Sequence, residues 1–411
     1  MEAETTLAAA KHVLLLAGVV LGTGAVCGFV AQRTRVPDIV LYLLAGILLG
    51  PAVSGMVVLP ANSTLGQLIL IFGASYILFD GGATLRLSVL KQIWITLVAI
   101  TTVGVLITAT VTALAAHYLL QLPMLPALLL GAVIASTDPA TLVPVFKQVR
   151  VRERLSQAVM SESAFNDAMG AILTFTVLGM ALGTERFSLL DSLQSLLLQI
   201  GVGIGAGIVL GYLAAFLIGH RRYGVFRDYA PLVTLMAVVG AYLGADDMHA
   251  SGFMAVFVAG IIIGNRELFG FGLEPGEARR LIEYVDITSL VMRVFIFVLL
   301  GTQVNFQLIG THLWSSLAVV LIFMLVARPL TVFICAGPDR RARWSWRELL
   351  FMCWTRETGV IPGALAGMLL GSGAPSADII ATVTFVAILV TILVQATTTR
   401  WLATRLNLME E

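Results

Sequence analysis

The sequence predicts an all-α polytopic membrane protein of about thirteen transmembrane helices. Three observations carry the prediction. Of 411 residues, 58% are hydrophobic and 12% charged, whereas a soluble domain carries roughly 25% charged residues. Apolar runs near the roughly 20 residues needed to cross a bilayer recur along the whole chain. The basic residues alternate between the loops on the two sides. Together these exclude a soluble enzyme and a disordered chain. With 25 Lys+Arg against 24 Asp+Glu there is no basic excess for a nucleic acid either. Continuous rather than alternating apolar runs argue against a transmembrane β-barrel.

The runs fall at 12–31, 39–57, 65–83, 92–116, 124–146, 157–181, 193–219, 229–246, 251–265, 284–303, 313–335, 348–370 and 377–399. Loop charge tests that count. Taking alternate loops from Arg33 and Arg35 onward, with the C-terminal Arg400 and Arg405, one side holds 20 of the 25 basic residues; the other holds Lys11 and Arg186. Removing or adding one span destroys the asymmetry. The positive-inside rule then puts the N-terminus outside and the C-terminus in the cytoplasm, as expected for a plasma (prokaryotic inner) membrane protein. Cys27, Cys335 and Cys353 lie in or beside apolar runs with no ligand spacing and read as small buried apolar groups.

Ionisable groups deep in a membrane are costly, so each is a functional candidate. The fifth run contains Ala135-Ser136-Thr137-Asp138-Pro139. Pro139 lacks an N–H and clashes with the preceding turn, so the helix should break there and turn carbonyls and the Thr137 and Asp138 oxygens inward. The sixth run reads Ser161-Glu162-Ser163-Ala164-Phe165-Asn166-Asp167. Ser163, Asn166 and Asp167 share one helical stripe, with Glu162 at its edge. Asp138 and Asp167 should lie at similar depth on consecutive antiparallel spans. Two carboxylates with two hydroxyls make a hard, oxygen-rich site suited to an alkali cation rather than a soft transition metal.

The twelfth run, Trp354-Thr355-Arg356-Glu357-Thr358-Gly359 up to Pro362-Gly363, again combines charge with Gly and Pro. The interrupted runs are seven apart, an odd offset. Spans 1–6 and 8–13 would therefore be inverted-topology repeats of six around a linking seventh, with broken helices 5 and 12. Paired interruptions of this kind point to a secondary-transporter site. Arg356 is the expected permanent cation that keeps Glu162 or an aspartate ionised in the empty site. Asp80, near the cytoplasmic end of span three, is a possible entrance carboxylate. Arg293 and Arg328 lie nearer the cytoplasmic ends, where snorkelling to the interface is the simpler expectation.

At these residues the chain resembles the monovalent cation:proton antiporter superfamily, in its NhaP-type branch. The resemblance covers nearly the whole chain. Val36-Pro37 through Leu48-Leu49-Gly50-Pro51 is similar to an early "GillGP" segment, and Thr137-Asp138-Pro139 to the fifth-span motif. Glu162-Ser163 with Asn166-Asp167 resembles the sixth-span "ND" motif, the most specific of the set; Gly244 to Gly260, with Ser251-Gly252, resembles an "SG…AG" segment. There are departures. Arg356-Glu357 stands where many relatives have Arg-Gly, and Asp80 where a Glu is common.

The resemblance implies an NhaA/NhaP-like antiporter fold and exchange of Na+ (Li+ also) for H+ by alternating access. No cofactor is implied. Asp138 and Asp167 would bind the cation and proton, with Thr137 and Ser163 as oxygen ligands and Asn166 shaping the site. Glu162 and Arg356 would form the supporting ion pair, and Asp80 and Glu357 would be secondary. A homodimer in lipid is implied, with a dimerisation bundle over about 1–83 and 229–303, a translocating core over about 92–181 and 313–399, and a linking helix over 193–219. Asn166, in place of a second adjacent aspartate, points to electroneutral one-for-one exchange. K+/H+ exchange, or a proton-coupled transporter or channel for another small solute, is the alternative. A membrane aspartyl protease is disfavoured because no Gly-x-Gly-Asp segment occurs.

Overall fold

In a computed structural model the described residues are 2–34, 36–137, 151–183, 189–220 and 223–409. Among them the chain is helical throughout, apart from short turns and a single antiparallel bridge between Val151 and Met409. The helices are α1 (Glu2–Thr34), α2 (Asp38–Leu49), α3 (Thr64–Ala83), α4 (Leu87–Leu120), α5 (Met124–Ala135), α6 (Glu153–Ala181) and α7 (Leu189–Gly219). They continue as α8 (Ala230–Asp246), α9 (Gly252–Gly264), α10 (Pro275–Thr302), α11 (Phe306–Cys335), α12 (Trp346–Trp354), α13 (Val360–Ser372) and α14 (Ala377–Arg405). Nine of the helices in the described residues are long and apolar enough to cross a membrane, and α2, α5, α9 and α13 are shorter apolar helices.

The helices follow the predicted runs, and the differences have local causes. The run over 39–57 yields only the 12 residues of α2, because Gly50 turns extended (ψ 173°) ahead of Pro51. The run over 348–370 is not one helix: α12 stops at Trp354, residues 355–359 are non-helical, and α13 starts at Val360. In the fifth run α5 stops at Ala135 and Ser136 is extended, with ψ 150°. The remainder of that run, including Asp138 and Pro139, lies outside the described residues. Three long helices carry π-helical turns: Ile100–Gly104 in α4, Phe323–Ala327 in α11 and Ile392–Ala396 in α14. In α11 the π turn ends just before Arg328-Pro329. Pro329 has no N–H to give to that turn, which accounts for the widened ladder.

Caps set several helix starts. The Ser63 hydroxyl accepts from Gly66 N–H before α3, and the Ser251 hydroxyl from Met254 N–H before α9. Ser345 and Glu348 form a reciprocal capping box at the start of α12. The helices pack at backbone range where α2 crosses α10. A Cβ on Gly46 would collide with the Val298 carbonyl oxygen, and one on Gly301 with that of Leu43, the small-residue contact expected between helices in lipid. The outer faces stay apolar: Leu14 and Leu15 on α1, Leu197 and Val209 on α7 and Met236 on α8 are all exposed. A soluble protein rarely leaves so wide an apolar surface uncovered. Inside, one continuous cluster runs from Leu16 of α1 through Leu130 of α5 and Ala168 of α6 to Val386 of α14. It places α5 against α4, α6 and α14, and α13 against α3 and α14.

Candidate cation-binding site at two broken helices

The site forms where α5 ends against the middle of α6. Past Ala135 the backbone leaves the helix: Ser136 N–H still reaches the Val133 carbonyl at 3.4 Å, and the next N–H turns to a side chain of α6. Thr137 N–H donates to Asp167 Oδ1 at 2.9 Å. The Thr137 hydroxyl donates to Ser163 Oγ at 2.8 Å. One residue thus joins the broken end of α5 to two of the three polar positions on the predicted stripe of α6. Thr137, Ser163, Asn166 and Asp167 are all buried, Asn166 completely. Gly170, one turn further along α6, permits the approach: a Cβ there would collide with Ser136 Oγ.

A second break meets this one. Thr355 and Arg356 lie between α12 and α13 and, with Glu357, line a narrow pocket of about 10 Å³ shared with Thr137, Val159, Glu162, Ser163 and Arg328. The Arg356 guanidinium donates to the Ala135 carbonyl at 2.6 Å and to the Thr108 hydroxyl at 3.3 Å. It stands 5.5 Å from the centre of the Phe323 ring. Its charge therefore sits on the last carbonyl of α5, where the helix dipole is negative and an acceptor is left over. On the other flank Thr358 N–H donates to the Thr391 hydroxyl of α14 at 3.0 Å.

The expected Glu162–Arg356 pair is corrected. Glu162 pairs with Arg328 of α11: Nη1 meets Oε1, and Nη2 donates to Oε2 at 2.9 Å. Arg328 Nε donates to the Met352 carbonyl at 2.8 Å, in the last turn of α12. Asn166 Nδ2 adds a bond to Glu162 Oε1 at 3.3 Å. Arg328 is 1% exposed, so the snorkelling expected of it does not occur. The two arginines thus divide the work: each caps the C-terminal end of one half-helix, and among the described residues Arg328 is the one bonded to Glu162.

A signal for Arg328 was present in the sequence. Seven apolar-run residues separate it from the end of α11, roughly 10 Å of helix at 1.5 Å per residue, too far for a side chain to snorkel. The Met352 carbonyl carried no such signal, because any residue supplies one. Asp80 is half-buried and is not among the pocket-lining residues. It lies within electrostatic range of Asp286 and Arg293 on α10. Its neighbour Gly81 packs on Ala164 of α6, where a Cβ would stand 3.5 Å from the Ala164 Cβ. Asp138 lies outside the described residues. Among those residues no group of three His, Cys, Asp or Glu side chains is placed to hold a metal ion. The chemistry on offer is that of hydroxyl and carboxylate oxygens, the ligand type that suits a hard cation.

Residues 19–405 match the family described as "Sodium/hydrogen exchanger, transmembrane". The chain belongs to the sodium/hydrogen exchanger family. Among its relatives, Na+/H+ antiporter 1 of Methanocaldococcus jannaschii is 32% identical over 364 residues, 85% of this chain and 81% of that protein. The K+/H+ antiporter NhaP of Alkalimonas amylolytica is 28% identical over 95% of this chain, which spans 66% of that longer protein. A solved structure of a sodium proton antiporter from Methanocaldococcus jannaschii superimposes with a TM-score of 0.84 at 28% identity, covering 96% of this chain and 99% of that one. The exchanger family is thus supported by sequence and by fold together. Family membership makes this chain a transporter rather than an enzyme, with Thr137, Glu162, Ser163 and Arg328 at the meeting point of its broken helices.

Proposed function

We propose that this exchanger moves a monovalent alkali cation, Na+ first and Li+ also, against H+ by alternating access, one for one and without net charge. The observation that carries the reading is the pair of bonds from Thr137 to Asp167 and Ser163. It gathers carboxylate and hydroxyl oxygens at a helix end buried inside an apolar bundle.

The chemistry follows from electrostatics. Glu162 is neutralised by Arg328 and so serves as a brace rather than an exchanging group. Asp167, with Asp138 as its expected companion, is left to hold either a cation or a proton. Two close carboxylates do not both stay ionised without a bound cation, so cation and proton compete for one site. Thr137 and Ser163 supply neutral oxygens to the dehydrated ion. Binding of one substrate weakens the other by linkage, which makes exchange pH-dependent. We place the protein in a plasma (prokaryotic inner) membrane, N-terminus outside and C-terminus cytoplasmic. It acts as a homodimer, with 1–83 and 229–303 as the dimerisation bundle, 92–181 and 313–399 as the moving core, and 193–219 linking them. The similarity to a K+/H+ antiporter keeps K+ as the alternative ion.

Reconstitution tests the reading. Proteoliposomes holding a pH gradient should lose it on addition of Na+ or Li+, and protein with Asp167→Ala or Asp138→Ala should not dissipate it. Mutants that collapse the gradient like the natural protein would remove these residues from the site. A steady current reversing with membrane potential would overturn the one-for-one stoichiometry. Response to K+ alone would select the alternative ion.

A further inference from the structure

We propose that Glu357 is a further cation-binding carboxylate of the exchange site and sets its affinity and ion preference. The inference rests on the antiporter reading above and deepens it. Glu357 is 1% exposed, lies in the non-helical segment between α12 and α13, and lines the same pocket as Thr137 and Ser163. The mechanism above has no use for it, yet a buried carboxylate inside a membrane is retained only at substantial cost.

Its flanks explain why it is held there. On one side Arg356 is fixed to the Ala135 carbonyl and the Thr108 hydroxyl. On the other, Thr358 N–H is fixed to the Thr391 hydroxyl. With both neighbours anchored, to α5 and α4 on one side and α14 on the other, the backbone that carries Glu357 is fixed at the wall of the pocket it lines. A ligand positioned before the ion arrives loses little freedom on binding it.

Charge points the same way. Among the described residues lining the pocket, Arg328 and Arg356 are cationic and Glu162 and Glu357 acidic. With Glu357 ionised the wall is balanced, and Asp167, reached through Thr137 N–H, supplies the charge that attracts a cation. Without the Glu357 charge the wall would carry a net positive charge and repel the ion at a few ångströms, where Coulomb terms are large. A carboxylate also offers a stronger field than a hydroxyl or carbonyl, which favours the smaller ions Li+ and Na+ over K+.

The test compares Glu357→Gln and Glu357→Asp with the natural chain in proteoliposomes, reading KM for Na+, Li+ and K+, and in detergent, reading the Na+-dependent rise in unfolding temperature. Glu357→Gln should raise KM for Na+ at least about tenfold, more than for K+, and diminish the Na+-dependent stabilisation. Glu357→Asp keeps the charge but withdraws it by one methylene, and should shift the Na+/K+ preference at least about threefold. If Glu357→Gln yields no folded protein, the aspartate variant decides alone. Unchanged KM values and ion preference, with or without lowered thermal stability, would overturn the proposal and leave Glu357 a brace. If the natural chain itself shows no cation-driven proton movement, it is the antiporter reading that fails.

Discussion

Removing Arg328 should be among the most damaging single changes to the stability of this protein. The side chain is 1% exposed, binds both oxygens of Glu162 and donates to the Met352 carbonyl at 2.8 Å. Breaking a buried pair by deleting one partner costs about 3–5 kcal/mol, because a charge is left without compensation. A charge-assisted bond such as that to Met352 adds about 1.5–3 kcal/mol where it is independent. Arg328→Ala should therefore lower stability by at least about 3 kcal/mol. The Asn166 bond to Glu162 at 3.3 Å is too long to compensate. Neutralising both partners, Arg328→Met with Glu162→Gln, should recover much of the loss, since no charge is then stranded. Unfolding midpoints of the purified singles and the double mutant, combined as a cycle, measure the coupling. An Arg328→Ala protein as stable as the natural one, or a double mutant no better than Arg328→Ala, would refute the pairing argument. Arg356→Ala is the contrasting control. It removes bonds to Ala135 and Thr108 but not the cation that pairs Glu162, so its stability loss should be the smaller.

Two further predictions concern the surroundings of the site. Gly170→Ala places a Cβ against Ser136 Oγ and should push the end of α5 away from Asp167. The expected cost is about 1–3 kcal/mol with a clear fall in exchange rate, and natural transport and stability in that variant would contradict it. In the loop after α11, burial pushes the Asp339 carboxyl up. Hydrogen bonds from the Thr96 hydroxyl and from the N–H groups of Ala342, Arg341 and Thr96 outweigh this and hold it below its ordinary value of 3.8. A depressed value means that the carboxylate contributes stability above the ordinary range and loses it as pH falls through the folded value. Asp339→Asn should thus be less stable near neutrality but lose less stability on acidification below about pH 4. Thermal unfolding followed from pH 7 to pH 3 checks it, and parallel curves for the two proteins would contradict it.

Much of the fold was legible because its cause is local. Whether a run of residues crosses a membrane depends on its own apolarity and length, and each predicted run contains helix in the described residues, over part of its length at 39–57 and in two pieces at 348–370. The stripe of Ser163, Asn166 and Asp167 followed from helical periodicity, and the interruptions after Ala135 and at residues 355–359 followed from Pro and Gly with charge beside them. Less local features were read less well. The run over 39–57 concealed the turn at Gly50-Pro51, because turn residues there are as apolar as the helix before them.

The sequence by itself determined that the chain is a helical membrane protein, that its polar chemistry gathers on the fifth, sixth and twelfth spans, and that its motifs are those of a cation:proton antiporter. Only the tertiary structure decided which arginine answers Glu162. Periodicity fixes which residues share a face of one helix, but not which face of a distant helix turns toward it. Arg328 lies 166 positions from Glu162 and Arg356 lies on the interrupted span, and both carry the same charge and line the same pocket. The choice came from packing: the π turn ahead of Arg328 and the end of α12 bring its guanidinium to Glu162, while the orphaned carbonyl of Ala135 draws Arg356 to the other broken helix. Such orphaned carbonyls exist only once the helices have broken and met, so no pattern in the chain announces them.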